Sequence, residues 1–533
     1  MSKVSLPFLA NMVKIRYAIP VLALIAALFA AGCGDSSSGG DSSAGSGLAD
    51  FASPGSLVFV EGQLQPKGAL KQNVDSVTKR FTGGEGLGAF VISELESSAR
   101  QDGESFDFAG EVQPWLGERG GVAFERLVDG ELSEPLIAIQ TKDPAATQDF
   151  VDKRTQKSSK PSKDISYEGI DFKVGGSEDN AVGVIGEALV LADSEKEFKA
   201  AVDASEGDSL GGEDRFQEAI SAASNGSFAD LYVDVGGIVK QSEDGIDEQA
   251  QEVLEGAGID PSDATAVASV IPQSNQIQVD LSSDLGGESA PGGNASELLG
   301  SLPASSVAAF SFSEFSEQLE EAIDNFDQAG SPPDLEPGEL KSTLKQGGID
   351  LDKIAASLED GAAFVEGSDQ SSLGGALVVT ASSSEAADAI ASLGTLLRGA
   401  RVPGVTVVSG KASGFSVRSD ELGQKPAVVV AKNDRVAIGY GLAQALAGLN
   451  AGSGSTLAGT PGYKAAVAAL GKTPISAYVD GPAALRLAEA LVPRSKTDFW
   501  EAVPYLKKVS YIGLGAGTSD ELATAKLIAG IGK

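Results

Sequence analysis

The sequence predicts an α+β protein built from two tandem duplicated halves, each a mostly antiparallel sheet with helices packed on one face. Three observations predict this. Five segments recur in the same order at an offset of roughly 240–250 residues, the mark of an internal repeat. Short apolar strands come in pairs around tight polar turns, which favours antiparallel pairing, and helical patterns stand between the pairs. With 533 residues, 42 % of them hydrophobic, the chain can bury real cores.

The first element is a leader. Lys14 and Arg16 precede an apolar run from Ala18 to Ala31, about 14 residues long, which suits a signal-peptide core and is short for a membrane span. Ala30-Ala31-Gly32 supplies small residues for cleavage, and Cys33 follows directly. The pattern resembles the bacterial lipobox, with Ala30 where leucine is usual. It implies a signal peptide over 1–32 and acylation of Cys33, with Met1 or Met12 as the start. Two or three acyl chains would anchor the chain stably. Residues 33–53, rich in Ser and Gly, are expected to form a disordered tether spanning roughly 25 Å.

The first half is expected over 54–283. Leu57 to Val60 form an apolar strand after a Pro-Gly start. Residues 67–81 and 87–100 read as helices, the second carrying Val91, Leu95 and Ala99 on one face. GGVAFERL (120–127) and EPLIAIQTK then read as a strand pair. Asp143-Pro144 opens a helix, Asp as N-cap and Pro at its first position. Ser194 and Glu197 have capping-box spacing before Phe198, Ala201 and Val202. The half closes with strands at 265–271 and 274–282, and 284–300 is a Gly-rich linker.

The second half, 301–533, repeats this order. SLPASSVAAFSF (301–312) answers SPGSLVFVEG (53–62), and GAAFVEG (361–367) answers GGVAFERL. GALVVTASSSEAADAI (375–390) answers PLIAIQTKDPAATQDF (135–150), with Ser382 and Glu385 as its capping box. GFSVR (414–418) answers IDFKV (170–174). YKAAVAALGKTPISAYVDGPA (463–483) answers FQEAISAASNGSFADLYVDVGG (216–237). Closing strands are expected at 508–516 and 522–530. Whether the halves share one sheet stays open.

This order, with the lipobox, the tether, the opening from Leu302 to Val307 and the segment Trp115-Leu116-Gly117, resembles a bacterial lipoprotein family known as domain of unknown function 3352. The resemblance covers most of residues 54–532. It implies a secreted, lipid-anchored α+β protein and brings no reaction and no catalytic residues.

Composition excludes much chemistry. There are 40 Lys and Arg against 75 Asp and Glu, a net charge of −35. Removing 1–32 takes away Lys3, Lys14 and Arg16 and no acid, leaving −38. Such a body is expected to repel nucleic acid and anionic lipid alike. The chain has no histidine, and Cys33 is its one cysteine. Ser-His-Asp catalysis, His-bearing zinc sites and thiol chemistry are therefore unavailable to the mature body.

Several motifs tempt and fail. Gly207-Asp208-Ser209-Leu210-Gly211 fits a hydrolase signature but has no base for Ser209, and it reads as a loop between helices. Gly471-Lys472-Thr473 copies the end of a phosphate loop, yet a helix precedes it and a strand follows, the wrong order. Ser342 and Lys345 lack partner motifs. Asp244, Asp247 and Glu248, and likewise Asp324, Asp327 and Asp334, lack calcium-loop spacing. Trp115 and Trp500 read as core residues. Tyr232-Val233-Asp234 and Tyr478-Val479-Asp480 each end a strand in Asp before a helix. Asp234 and Asp480 read first as N-caps, and second as a pair of quasi-symmetric binding positions.

The expectation is a non-enzymatic lipoprotein on the outer face of the cytoplasmic membrane, binding an envelope protein or lipid or serving as a spacer, with no cofactor and no metal. One alternative is a carrier of an apolar ligand such as a lipid, which needs a large apolar cavity. The other is a carboxylate-based hydrolase, which needs two buried acids facing each other in a cleft.

Overall fold

The structure, a computed structural model, describes residues 47–532 apart from 85, 90–91, 93–106, 129–130, 158–161, 176–179, 243–260, 285–294, several positions between 314 and 338, 421 and 520–521. Cys33, the signal peptide, most of the tether, and Val91, Leu95 and Ala99 lie outside the described residues. Among the described residues no helix is long and apolar enough to cross a membrane.

The described residues form helices around one large antiparallel sheet of twenty strands. The first ten are β1 (Val58–Gln63), β2 (Leu116–Val128), β3 (Glu131–Thr141), β4 (Lys163–Tyr167), β5 (Ile170–Gly175), β6 (Asn180–Ile185), β7 (Ala188–Ala192), β8 (Ala229–Asp234), β9 (Thr265–Gln273) and β10 (Gln276–Ser283). The second ten are β11 (Ala308–Phe312), β12 (Leu358–Glu366), β13 (Gly374–Ala381), β14 (Val405–Val408), β15 (Ser413–Val417), β16 (Ala427–Lys432), β17 (Arg435–Tyr440), β18 (Ile475–Asp480), β19 (Val509–Ser519) and β20 (Leu522–Ile531).

Pairing sets their order in space. Strands β4-β5-β6-β7-β3-β2-β1-β8-β9-β10 lie side by side. The second ten follow the same order, β14-β15-β16-β17-β13-β12-β11-β18-β19-β20. The two sets meet at β10 and β20, paired antiparallel from Gln276↔Gly530 to Ser283↔Ala523. One sheet is thus shared, and its middle joins a strand near the centre of the sequence to the last strand.

Helices cover both faces, which corrects the one-face expectation. In β7 alternate residues point opposite ways. Val190 and Ala192 join Phe198, Ala201 and Val202 of the helix Glu195–Glu206. Leu189 and Leu191 join Val151 of the helix Pro144–Lys157 and Trp115. A strand buried on both sides reads as an unbroken apolar run, here ALVLA, rather than as an alternation. The second half repeats this. Val378, Val428 and Ala437 pack with Ala445 and Leu449 of the helix Leu442–Leu449. Val379, Ala431 and Val436 pack with Ala386 and Ile390 of the helix Glu385–Gly399.

Most local expectations agree with the structure. Ala146 N donates to the Asp143 carboxylate and Glu197 N to Ser194 Oγ. Phe198 stacks on Phe172 with ring centroids 4.3 Å apart. Gly183 lies against that stack, where a Cβ would meet Phe172 and Phe198 carbons at 2.7 and 2.8 Å. The capping box at Ser382 is corrected. Ser382 Oγ donates to the Ser357 carbonyl, and Glu385 N donates to Ser383 Oγ instead. The body also begins earlier than residue 54. Leu48, Ala49 and Ala52 are buried in the first core around the short 3-10 turn Ala49–Phe51, so 47–53 belong to the fold. Ala295–Ser301, expected in the linker, is a helix whose Leu298 and Leu299 enter the second core.

Candidate functional site

A cavity of about 310 Å³ opens over one face of β1, β2 and β8. Strand alternation brings its residues together. On β1, Phe59 and Glu61 share a face; on β8, Asp230 and Tyr232 share it, with Phe59 opposite Tyr232 and Glu61 opposite Asp230. On β2, Ala123 and Gly121 take the matching places, and Arg119 stands one step further. The floor is aromatic: Phe59 meets Phe216 edge-on at 5.8 Å, and Phe216 meets Tyr232 at 5.0 Å. Gly47, Ala49 and Asp50 form one wall, and Gly211 and the helix Asp214–Ser221 another.

The charges here are unusual for a sheet interior. Glu61 is 6 % exposed and Asp230 5 %. Their Cβ atoms, opposite on adjacent strands, are about 5 Å apart. Arg119 Nε pairs with Glu61 Oε1. Asp230 accepts from Ser227 Oγ and Ser269 Oγ, each at 2.7 Å, and Ser269 Oγ accepts from Ser224 N at 2.8 Å. Beneath them, burial and the nearby Asp234 carboxylate push the Tyr232 phenol above its ordinary pKa.

The second half carries no charge at the positions of Glu61 and Asp230. Ala309 faces Tyr478 as Phe59 faces Tyr232. Two residues along β11 stands Ser311, and two before Tyr478 stands Ser476; Ser311 Oγ donates to the Ser476 carbonyl at 3.4 Å. Neither carboxylate is needed for the strands to pair.

Asp234 and Asp480 both act as N-caps. Asp234 accepts from Gly237 N at 2.7 Å and Asp480 from Ala483 N at 2.8 Å. They differ in surroundings, since Asp234 also holds Arg215. The sheet separates them. Asp234 lies opposite Thr265, at the Ser283 end of β10, while Asp480 lies opposite Tyr511 at the Gln276 end. Seven residues of strand and five strand spacings come to more than 20 Å in each direction. The two do not form one site.

The other motifs settle into structural roles. Ser209 Oγ accepts from Gly212 N and caps a short turn. Gly471, at φ +68°, ends the helix Pro461–Leu470 before β18. Ser342 Oγ donates to Glu339 O, while Lys345 pairs with Asp350. Asp324 pairs with Lys341. Asp244, Asp247, Glu248 and Asp334 lie outside the described residues. Trp115 is buried, with Nε1 donating to Glu111 O at 2.8 Å. Trp500 is corrected: it is half-buried on the surface, with the Arg494 guanidinium 3.7 Å above its ring. Among the described residues no group of three or more acids or other ligand residues could hold a metal ion.

Sequence reading missed Glu61, Arg119 and Asp230. A local signal existed: in VFVEG, glutamate falls on the same parity as the core residue Phe59. Its partners are 58 and 169 positions away, and only the strand order β2-β1-β8 brings them in.

A family described as "Protein of unknown function (DUF3352)" matches residues 91–407. Among curated proteins nothing matches. A solved structure titled "Structure of crystal form III of TP0453" is similar at 14 % identity and a TM-score of 0.24, covering 45 % of this chain and 80 % of that one.

Proposed function

The chain belongs to the DUF3352 family, and from its own geometry we propose a lipid-anchored, non-enzymatic binding protein of the bacterial envelope. Cys33 carries the lipid, and the body sits at the outer face of the cytoplasmic membrane. The fifteen residues from Cys33 to Gly47 give a flexible reach of roughly 20 Å. The halves are read as a tandem duplication, supported by their identical strand order and matched Tyr-Val-Asp caps.

The observation that carries the binding reading is the cavity over β1 and β8. It has the size of a small-molecule site. Its lining sets Glu61, Asp230 and Asp50 against the single cation Arg119, while the positions of Glu61 and Asp230 are serines in the second half. Charge that the fold does not require points to a ligand with a cationic group, such as a small amine. An acyl chain fits it poorly, because its walls carry four charged side chains.

Native mass spectrometry of the full protein extracted from its own membrane tests this. A retained small cation, lost in Asp230→Asn, is the expected result. A retained lipid would select the apolar carrier instead, and an empty cavity that no amine stabilises against heating would remove the binding reading. A second reading, a carboxylate-based hydrolase, is favoured by one observation: two buried acids share a cavity. Turnover by the full chain, abolished by Glu61→Gln in a folded protein, would replace binding with that reading.

A further inference from the structure

One helical stretch near the end of the chain combines a local excess of basic residues with exposed aromatic and aliphatic side chains. Residues 481–508 form a helical hairpin, the helices Gly481–Leu491 and Thr497–Leu506 joined by a short turn. It holds five basic residues, Arg486, Arg494, Lys496, Lys507 and Lys508, against three acids, in a chain with net charge −35. The corresponding stretch of the first half, 235–263, follows the other Tyr-Val-Asp strand and has one basic residue against eight acids. The sequences that follow the two matched strands thus carry opposite signs of charge.

The hairpin is also shallowly packed. Its first helix buries no residue and its second buries Val503. Tyr505 is 58 % exposed, Leu491 42 % and Leu506 39 %. Trp500 lies half-exposed between Phe499 and Arg494. Exposed leucine, tryptophan and tyrosine among lysine and arginine is the composition of segments that lie in a membrane interface.

Its location agrees. Tyr505 to Lys508 lead into the start of β19, which pairs with the end of β20. That is the end of the sheet where β1 also finishes, beside Gly47, Glu61 and Arg119, where the tether leaves the body. Five strand spacings separate β1 from β19, about 24 Å. A tether of roughly 20 Å then holds the hairpin within reach of the bilayer.

We propose that the 481–508 hairpin docks onto an anionic phospholipid surface, its basic residues on the headgroups and Leu491, Trp500, Tyr505 and Leu506 at the interface, and so fixes the orientation of the body. This rests on the anchor reading of Cys33, and the experiment separates the two. Full-length lipidated protein is reconstituted into phosphatidylcholine vesicles with and without phosphatidylglycerol. Flotation on phosphatidylcholine alone reads the anchor. Trp500 emission reads docking, with Trp500→Phe identifying its share against the buried Trp115.

A blue shift of Trp500 that appears only with phosphatidylglycerol and fades with salt is expected. Each basic residue near an anionic surface is worth about fivefold in partitioning, so Arg494→Glu, Lys496→Glu and Lys507→Glu together should weaken docking by about a hundredfold or more. An unchanged melting temperature shows that this variant is folded. Trp500 emission indifferent to phosphatidylglycerol, or a shift that survives the triple change, overturns the proposal. Protein that does not float on phosphatidylcholine refutes the anchor alone. Docking is then read by co-sedimentation with phosphatidylglycerol vesicles, parent against variant.

Discussion

Arg119→Ala is the sharpest perturbation of the cavity. The Arg119 side chain is 14 % exposed and that of Glu61 7 %. Removing the guanidinium leaves Glu61 facing Asp230 across neighbouring strands, two carboxylates away from bulk water, with Glu61 deprived of its cation. Breaking a buried pair from one side costs about 3–5 kcal/mol. Glu61→Ser should cost less, about 2 kcal/mol, because the repulsion from Asp230 goes with the glutamate. The double variant removes both ends of the ion pair at once, so it should cost less than the two singles together. A coupling of about 2–3 kcal/mol is expected. Urea unfolding followed by circular dichroism measures all four proteins. A loss below about 1 kcal/mol for Arg119→Ala, or strictly additive losses, would show a solvated pair and refute the reasoning.

Three further outcomes are expected. Burial raises the Tyr463 and Tyr478 phenols to about 12, against about 10 when unfolded. Their contribution is complete below pH 10 and is lost as pH climbs toward 12, so stability should fall across that window and phenolate absorbance from these two should lag the exposed tyrosines; simultaneous titration of all eight would contradict their burial. Asp480→Ala should cost about 1 kcal/mol as a lost N-cap, and Asp234→Ala about 2 kcal/mol more, because Arg215 loses its carboxylate; equal losses would mean that the two positions are equivalent after all. Ser209→Ala should cost about 1 kcal/mol and leave any ester hydrolysis unchanged, and a selective loss of hydrolysis would reinstate Ser209 as a nucleophile.

What the sequence revealed was local. Capping at Asp143, Ser194, Asp234 and Asp480 depends on residues three positions apart, and each is in place. Paired strands around short turns were equally visible, as β2 and β3 show. Non-local features were hidden. The cover on the second face of β6 and β7 comes from a helix at 144–157 that no nearby pattern ties to Leu189. The Ser/Gly composition before residue 54 masked Leu48 and Ala52, which two apolar side chains are enough to dock. Glu61, Arg119 and Asp230 become neighbours only once β1 lies between β2 and β8.

The seam between β10 and β20 has a consequence for how such a chain is made. During synthesis the amino-terminal portion emerges first, and its β10 margin stands unpaired until some 240 later residues have followed. Assembly then finishes at the centre rather than at a border, since the last strand to emerge slots between two nearly finished blocks. Glutamines and an aspartate along β10, at 276, 278 and 280, keep that waiting margin polar, a guard against the wrong neighbour until the right one comes.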